Sequence, residues 1–256
     1  MPPGPHRNRE VSSGARKGLA RLTPMLIDLT GKTALVTGST AGIGRAIAEG
    51  LLASGAAVVV NGRTSERVDA AVAEIGERAG APERVRGVVA DIGDPAGVEA
   101  LVEGAPDVDV LVNNAGIFEQ TPFFEISDDD WHRFFDVNVM SGVRLSRHHA
   151  PRMVERGWGR IVFISSESAL HIPPEMVHYG MTKTAQLAVA RGLAETVAGS
   201  GVTVNSVLPG PTLSEGVGGM LEQAVAGGEA ADLEEAGRDF IAEHRPTSLI
   251  GRPASV

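Results

Sequence analysis

Thr37-Gly38-Ser39-Thr40-Ala41-Gly42-Ile43-Gly44 follows the β-branched run Thr33-Ala34-Leu35-Val36 and opens into a helical pattern over residues 42–54. This is a strand, a glycine turn and a helix in direct succession. Glycine permits left-handed backbone in such a turn and lets N–H groups approach an anion closely. The dipole of the helix that begins there favours the same negative charge. The spacing is G-x-x-x-G-x-G, not the G-x-G-x-x-G of the usual dinucleotide fingerprint. A turn of this composition also serves tight packing without any ligand, so its meaning depends on its surroundings.

Those surroundings alternate between short apolar runs and longer helical stretches. Strands are expected at 33–37, 57–61, 85–90, 109–113, 160–166 and 202–208. Between them, helices are expected at 42–54, 65–79, 95–103, from Ser127 as N-cap to about Arg156, and at 178–198. Near-continuous apolar strands, each followed by a helix, require a mostly parallel sheet covered on both faces. The predicted fold is therefore α/β, a doubly wound Rossmann-type sheet of six strands, built as one domain over residues 25–256. Residues 1–24 differ in composition: they hold Pro2, Pro3, Pro5 and Pro24 with five basic residues and no following apolar segment. They read as a disordered tail or a misassigned start ahead of Met25, not as a secretory signal.

The 256 residues carry a formal charge of −9, with 43% apolar residues and no cysteine. Disulfides, thiolate metal sites and a cysteine nucleophile are excluded. The acidic balance speaks against nucleic acid or an anionic membrane as partner, and no apolar stretch has the length of a membrane span. The expectation is a soluble, cytoplasmic protein acting on a small molecule. No metal site is expected, since His148-His149 has neither a carboxylate nor a third histidine at ligand spacing and reads as helix surface.

An acidic residue about 20 positions after the glycine turn would hold a ribose 2′-hydroxyl and imply NAD(H). That position is Gly62, flanked by Asn61 and Arg63. Arg63 suits a 2′-phosphate, so NADP(H) is favoured and NAD(H) is the alternative. At the other end, Tyr179 is the single tyrosine, and Lys183 stands four residues on. On a helix those two side chains share a face. A free phenol titrates near about 10, and an adjacent cation lowers that value, which makes proton exchange with an alcohol or carbonyl feasible near neutrality. An isolated Y-x-x-x-K is more often a surface pair. Ser166, however, closes the fifth strand at the sheet edge where doubly wound folds bind ligands, with Ser165 and Ser168 as alternatives for its role.

Taken together, these segments resemble the short-chain dehydrogenase/reductase family. The Thr37–Gly44 turn is similar to its TGxxxGIG loop, Asn113-Asn114-Ala115-Gly116 to its NNAG motif, Asp91-Ile92 to its adenine-holding pair, and Pro209-Gly210-Pro211-Thr212 to the PG motif beside nicotinamide. The resemblance implies a hydride transfer between NADP(H) and a carbonyl or secondary alcohol. It places Asn138, Ser166, Tyr179 and Lys183 as the catalytic tetrad. Tyr179 would exchange the substrate proton and Ser166 steady the reacting oxygen. Lys183 would lower the tyrosine pKa and hold ribose hydroxyls, and Asn138 would fix a water linking Lys183 to solvent. The cofactor contacts implied are Gly38, Ser39, Thr40, Gly42, Ile43, Gly44, Arg63, Asp91, Ile92, Asn114, Ala115, Gly116, Tyr179, Lys183, Pro209, Gly210 and Thr212. A homo-oligomer, dimer or tetramer, is also implied.

Members of that family usually continue beyond the segment matching Arg245–Arg252 with another helix and a seventh strand. This chain is expected to lack both, leaving its sixth strand at the sheet edge with Val202, Val204 and Val207 less well covered. A nucleotide-binding but catalytically silent homologue is therefore the alternative function. Residues 211–244 are expected to form a lid over substrate. Trp131, Phe134 and Phe135 read as a packing face, His178 as solvated or substrate-facing, and His171 with His178 as pocket lining at most. A serine hydrolase is excluded by the absence of a G-x-S-x-G elbow.

Overall fold

A computed structural model of the protein describes residues 27–256. The tail expected over residues 1–24 lies outside the described residues. Six strands form one sheet: β1 (Thr33–Val36), β2 (Ala57–Gly62), β3 (Val85–Val89), β4 (Val110–Asn113), β5 (Gly159–Ile164) and β6 (Val202–Val207). Their order is β3-β2-β1-β4-β5-β6, and every pairing is parallel. The order reverses between β1 and β4, so the carboxyl ends of those two strands diverge into a crevice.

Strand alternation sends successive side chains to opposite faces, and both faces are buried. Leu35, Val59, Leu111, Ile161 and Phe163 face one layer. That layer contains α3 (Pro95–Gly104), α5 (Ser141–Glu155) and α6 (Val177–Thr196), which contribute Leu101, Leu145, Met153 and Ala190. Ala34, Val36, Val58, Val60, Val110 and Val112 face the other, where α1 (Gly42–Ala53) and α2 (Ser65–Ala79) supply Ala48, Leu52, Ala71 and Ile75. The two-sided core explains why the strands read as unbroken apolar runs.

Two expectations shift. The single helix expected from Ser127 onward is α4 (Asp128–Phe135), a π-helical turn over Asp136–Met140, and α5. Ser127 does cap it, its hydroxyl accepting from Asp130 N at 3.1 Å. The widened turn carries Asn138, and insertions of this kind often mark functional positions. At the sheet edge, Val202 and Val204 are buried beneath α6, while Val207 is half exposed. The expected loss of cover is thus confined to one residue.

Residues 211–244, expected as a lid, contain α7 (Glu215–Ala226) and α8 (Leu233–His244), which pack on each other; Leu221 of α7 and Ile241 of α8 are buried. Asp232 caps α8 by accepting from Glu235 N at 2.8 Å. The last residues return to this region: Leu213 N donates to Ala254 O at 2.8 Å, and Ala254 N donates to Pro211 O at 2.9 Å.

Candidate active site

The glycine turn is bound on both sides before any ligand is considered. Gly38 and Gly42 have φ of +61° and +54°, the left-handed region that glycine adopts without strain. Ser39 is fully buried, its hydroxyl donating to Val36 O at 2.7 Å and accepting from Asn61 N at 3.1 Å. The Asn61 amide donates to Val88 O and Ala90 O, both at 3.2 Å, tying the ends of β2 and β3 beneath the turn. Across the crevice, the Thr37 hydroxyl accepts from the backbone N–H of both Asn114 and Ala115 at 3.0 Å. The Asn114 side chain donates back to Thr37 O at 2.9 Å and Gly38 O at 3.1 Å. Gly44 has no room for a side chain, since a Cβ there would sit 2.4 Å from both Asn114 Nδ2 and Gly38 O. The first turn of α1 has no side-chain cap, so its N–H groups are left for an anion.

This turn forms one end of a cleft of about 1150 Å³. Along its walls stand Arg63 and Arg67 past β2, Asp91 and Ile92 past β3, Asn114–Gly116 past β4, and Pro209 and Gly210 past β6. Asp91 accepts from Gly93 N at 3.0 Å, which shapes its loop. At the other end lie Ser166, Tyr179 and Lys183. Ser166 stands two residues beyond β5 and not within it, accepting from Ser168 N at 3.1 Å at the head of a 3₁₀ turn. Helix α6 presents Tyr179 and Lys183 on one face, with Nζ 5.5 Å from the phenol ring centroid. Phe118 meets the same ring edge-on, with centroids 6.4 Å apart.

Burial dominates the electrostatics here. It pushes the Tyr179 phenol above its ordinary value, against a hydrogen bond with Ser166 that pulls it down; the Glu167 carboxylate adds to the rise and Arg245 opposes it. The expectation of a phenol drawn downward by Lys183 is therefore corrected for the chain by itself. Lys183 is 4% exposed, and burial lowers its ammonium to about 8. Its Nζ donates to Ile164 O at 2.9 Å and to Gln186 Oε1 at 3.4 Å. Asn138 is engaged through both its groups. Its side chain accepts from Ile117 N at 2.8 Å and donates to Ile117 O at 2.9 Å and Thr182 Oγ1 at 3.0 Å. Its carbonyl accepts from Gln186 Nε2 at 2.5 Å.

A family model described as short chain dehydrogenase matches residues 32–224. The chain belongs to the short-chain dehydrogenase family. An uncharacterized oxidoreductase of Bacillus subtilis, YvaG, is 49% identical over 228 residues, covering 89% of this chain and 86% of that protein. The 3-oxoacyl-[acyl-carrier-protein] reductase FabG of Aquifex aeolicus is 36% identical over 188 residues, or 73% and 76% of the two chains. Among solved structures, the L-sorbose reductase of Gluconobacter frateurii, complexed with NADPH and L-sorbose, superposes with a TM-score of 0.82 at 32% identity, covering 90% of this chain and 87% of that one. This dehydrogenase is accordingly an oxidoreductase.

Of the site residues expected from the sequence, the short-chain dehydrogenase fold brings all but three to the cleft wall. Ser39 is turned inward to Val36 and Asn61. Thr212 is 7% exposed and donates to Gly210 O at 2.9 Å. Asn138 lies behind the wall, 1% exposed. The histidine expectations fare differently. His178 is neither solvated nor substrate-facing: it is 1% exposed, with its ring 3.9 Å from that of Phe134 and 6.0 Å from that of Trp131. His149 is fully buried and not at the helix surface, because α5 turns that position into the core beside Leu145 and Met153. Phe134 is buried as a packing residue should be, whereas Phe135 is 37% exposed.

Some contacts could not be read from the sequence. The side chains of Asn61 and Thr37 bind backbone groups that only the fold brings near. The Arg245 guanidinium meets the Glu167 carboxylate at 2.5 Å, joining the end of α8 to the residue after Ser166. Among the described residues no cluster of three His, Asp or Glu side chains is placed to hold a metal, and no helix is long and apolar enough to cross a membrane.

Proposed function

We propose that this dehydrogenase transfers a hydride between NADP(H) and a carbonyl or secondary alcohol, with Tyr179 as the acid/base. The observation that carries the reading is the single cleft that holds the glycine turn at one end and Ser166, Tyr179 and Lys183 at the other. The residues present fit a dinucleotide. The uncapped first turn of α1 suits a pyrophosphate, and the exposed Arg63 suits a 2′-phosphate. Asp91 and Ile92, on the same cleft wall, would hold the adenine, and Pro209 and Gly210 would stand beside the nicotinamide. When bound, NADP(H) supplies the hydride. The NADPH of the L-sorbose reductase supports the same choice of cofactor.

The residues of the chain handle the proton. With its pKa raised by burial, the Tyr179 phenol is protonated at neutral pH and donates to the oxygen of a carbonyl undergoing reduction. Ser166 donates to the same oxygen and holds it beside the phenol. Lys183, fixed by Ile164 O, brings a cation to the ring at the moment negative charge develops on it. Helices α7 and α8 close the substrate side as a lid, latched by Arg245 to Glu167. A panel of ketones and alcohols monitored by the absorbance of reduced nicotinamide tests the reading. Turnover with NADPH on at least one carbonyl is expected, and binding of NADPH without turnover on any member would overturn it.

A further inference from the structure

Behind the cleft wall, the Asn138 carbonyl and the Lys183 ammonium are joined by a side chain. Gln186 lies one helical turn past Lys183 on α6 and is 2% exposed. Its Nε2 donates to Asn138 O at 2.5 Å, and its Oε1 accepts from Lys183 Nζ at 3.4 Å. The carboxamide thus meets a donor on one element and an acceptor on another, both buried, and its loss takes one of two protein acceptors from the Lys183 ammonium. An apolar residue is the usual occupant of a helix face that packs on a sheet, so a buried glutamine here calls for a reason.

We propose that Gln186 is a positioning residue of the active site, the amide that fixes the Lys183 ammonium against the Asn138 carbonyl and occupies the place a bridging water would otherwise take. The inference rests on Lys183 serving the reaction as described above. Three neighbours define the ammonium's position. Ile164 O holds it from β5 and Gln186 from its own helix. Gly116, past β4, approaches so closely that a Cβ there would lie 3.4 Å from Nζ. Tyr179 is the titratable group on the same face. The charged pair Glu167 and Arg245 acts on that phenol, and burial lowers the Lys183 ammonium. Without Gln186 Oε1, the ammonium keeps one protein acceptor in a site that already disfavours its charge.

The place occupied by the amide makes an unusual order of effects testable. Gln186→Met fills the space with apolar atoms and offers no acceptor. Gln186→Ala leaves a hole flanked by Asn138 O and Lys183 Nζ, where a water with two or more polar partners can take over the bridge. The larger deletion is therefore the milder one, the reverse of what packing by itself dictates, since a volume-conserving swap is normally tolerated better than truncation. The chain has three lysines, Lys17, Lys32 and Lys183, so a protein labelled with ¹³C at lysine Cε reports the Lys183 titration directly; Lys183→Met assigns its signal. Gln186→Met is expected to lower that pKa by about one unit and kcat about tenfold at little change in substrate KM, as loss of one hydrogen bond to a charged group predicts. Gln186→Ala is expected to fall between the parent and the methionine variant in both. Gln186→Leu repeats the apolar arm should the methionine variant not fold. An unmoved Lys183 titration in the apolar variants, or an alanine variant worse than methionine, overturns the proposal. If Lys183→Met keeps full turnover, the catalytic reading of Lys183 fails instead, and the titration still decides what Gln186 does to the ammonium.

Discussion

Two alanine substitutions on one helix should act with opposite sign. A Cβ at Gly44 would meet Gly38 O and Asn114 Nδ2 at 2.4 Å and Ser39 Cα at 3.0 Å, so the turn and the β4 loop must separate by most of an ångström. The Asn114 bonds to Thr37 O and Gly38 O are lost in that separation. Two neutral hydrogen bonds contribute about 2 kcal/mol together, and overpacking a tight contact costs roughly 1–3 kcal/mol more. The helix preference for alanine over glycine returns about 1 kcal/mol. Gly44→Ala is thus expected to destabilise by about 3 kcal/mol, or roughly 6–12 °C in Tm for a domain of this size. Gly50, also in α1, has no atom within 4 Å of its would-be Cβ. Gly50→Ala keeps only the helix term and should stabilise by about 1 kcal/mol, raising Tm roughly 2–4 °C. Calorimetric unfolding of both variants measures the pair, and NADPH titration should show weakened binding for Gly44→Ala alone. Equal stabilities for parent and Gly44→Ala would refute the claim that this glycine joins the two walls of the cleft.

Replacing Tyr179 by Phe removes the acid/base hydroxyl and should lower kcat by about 10²–10⁴-fold while NADPH affinity, read by fluorescence, changes little; retained turnover would sink the assignment. Arg63→Ala should weaken NADPH about tenfold and NADH hardly at all, and equal effects on the two dissociation constants would remove the stated cofactor preference. His149, whose ring nitrogens find no partner among the described residues, is held by burial at about 4 against an ordinary 6.5. Its folded-state pKa is depressed, so the unfolded chain takes up a proton first as pH falls. Stability is therefore complete above about pH 6.5 and falls by about 3 kcal/mol down to about pH 4. Denaturant midpoints of the parent and His149→Leu across that window should diverge, the variant being flatter, and parallel curves would count against the buried neutral imidazole.

Short-range pattern was enough to read the fold and the outline of the site. The glycine turn between strand and helix is encoded within one stretch of chain, as are the i, i+4 placement of Tyr179 and Lys183 and the two-residue alternation of Leu35 against Ala34 and Val36. Each depends on backbone geometry that a few neighbours determine. Burial and pairing across the chain are different in kind. The sinking of His149 and His178 into the core, the upward shift of the Tyr179 phenol and the closure of Arg245 on Glu167 depend on elements tens of residues apart. So do the grip of Asn61 on β3 and the bridge from Gln186 to Asn138. A side chain's solvation and its partners are properties of the packed layers, and only tertiary structure decides them.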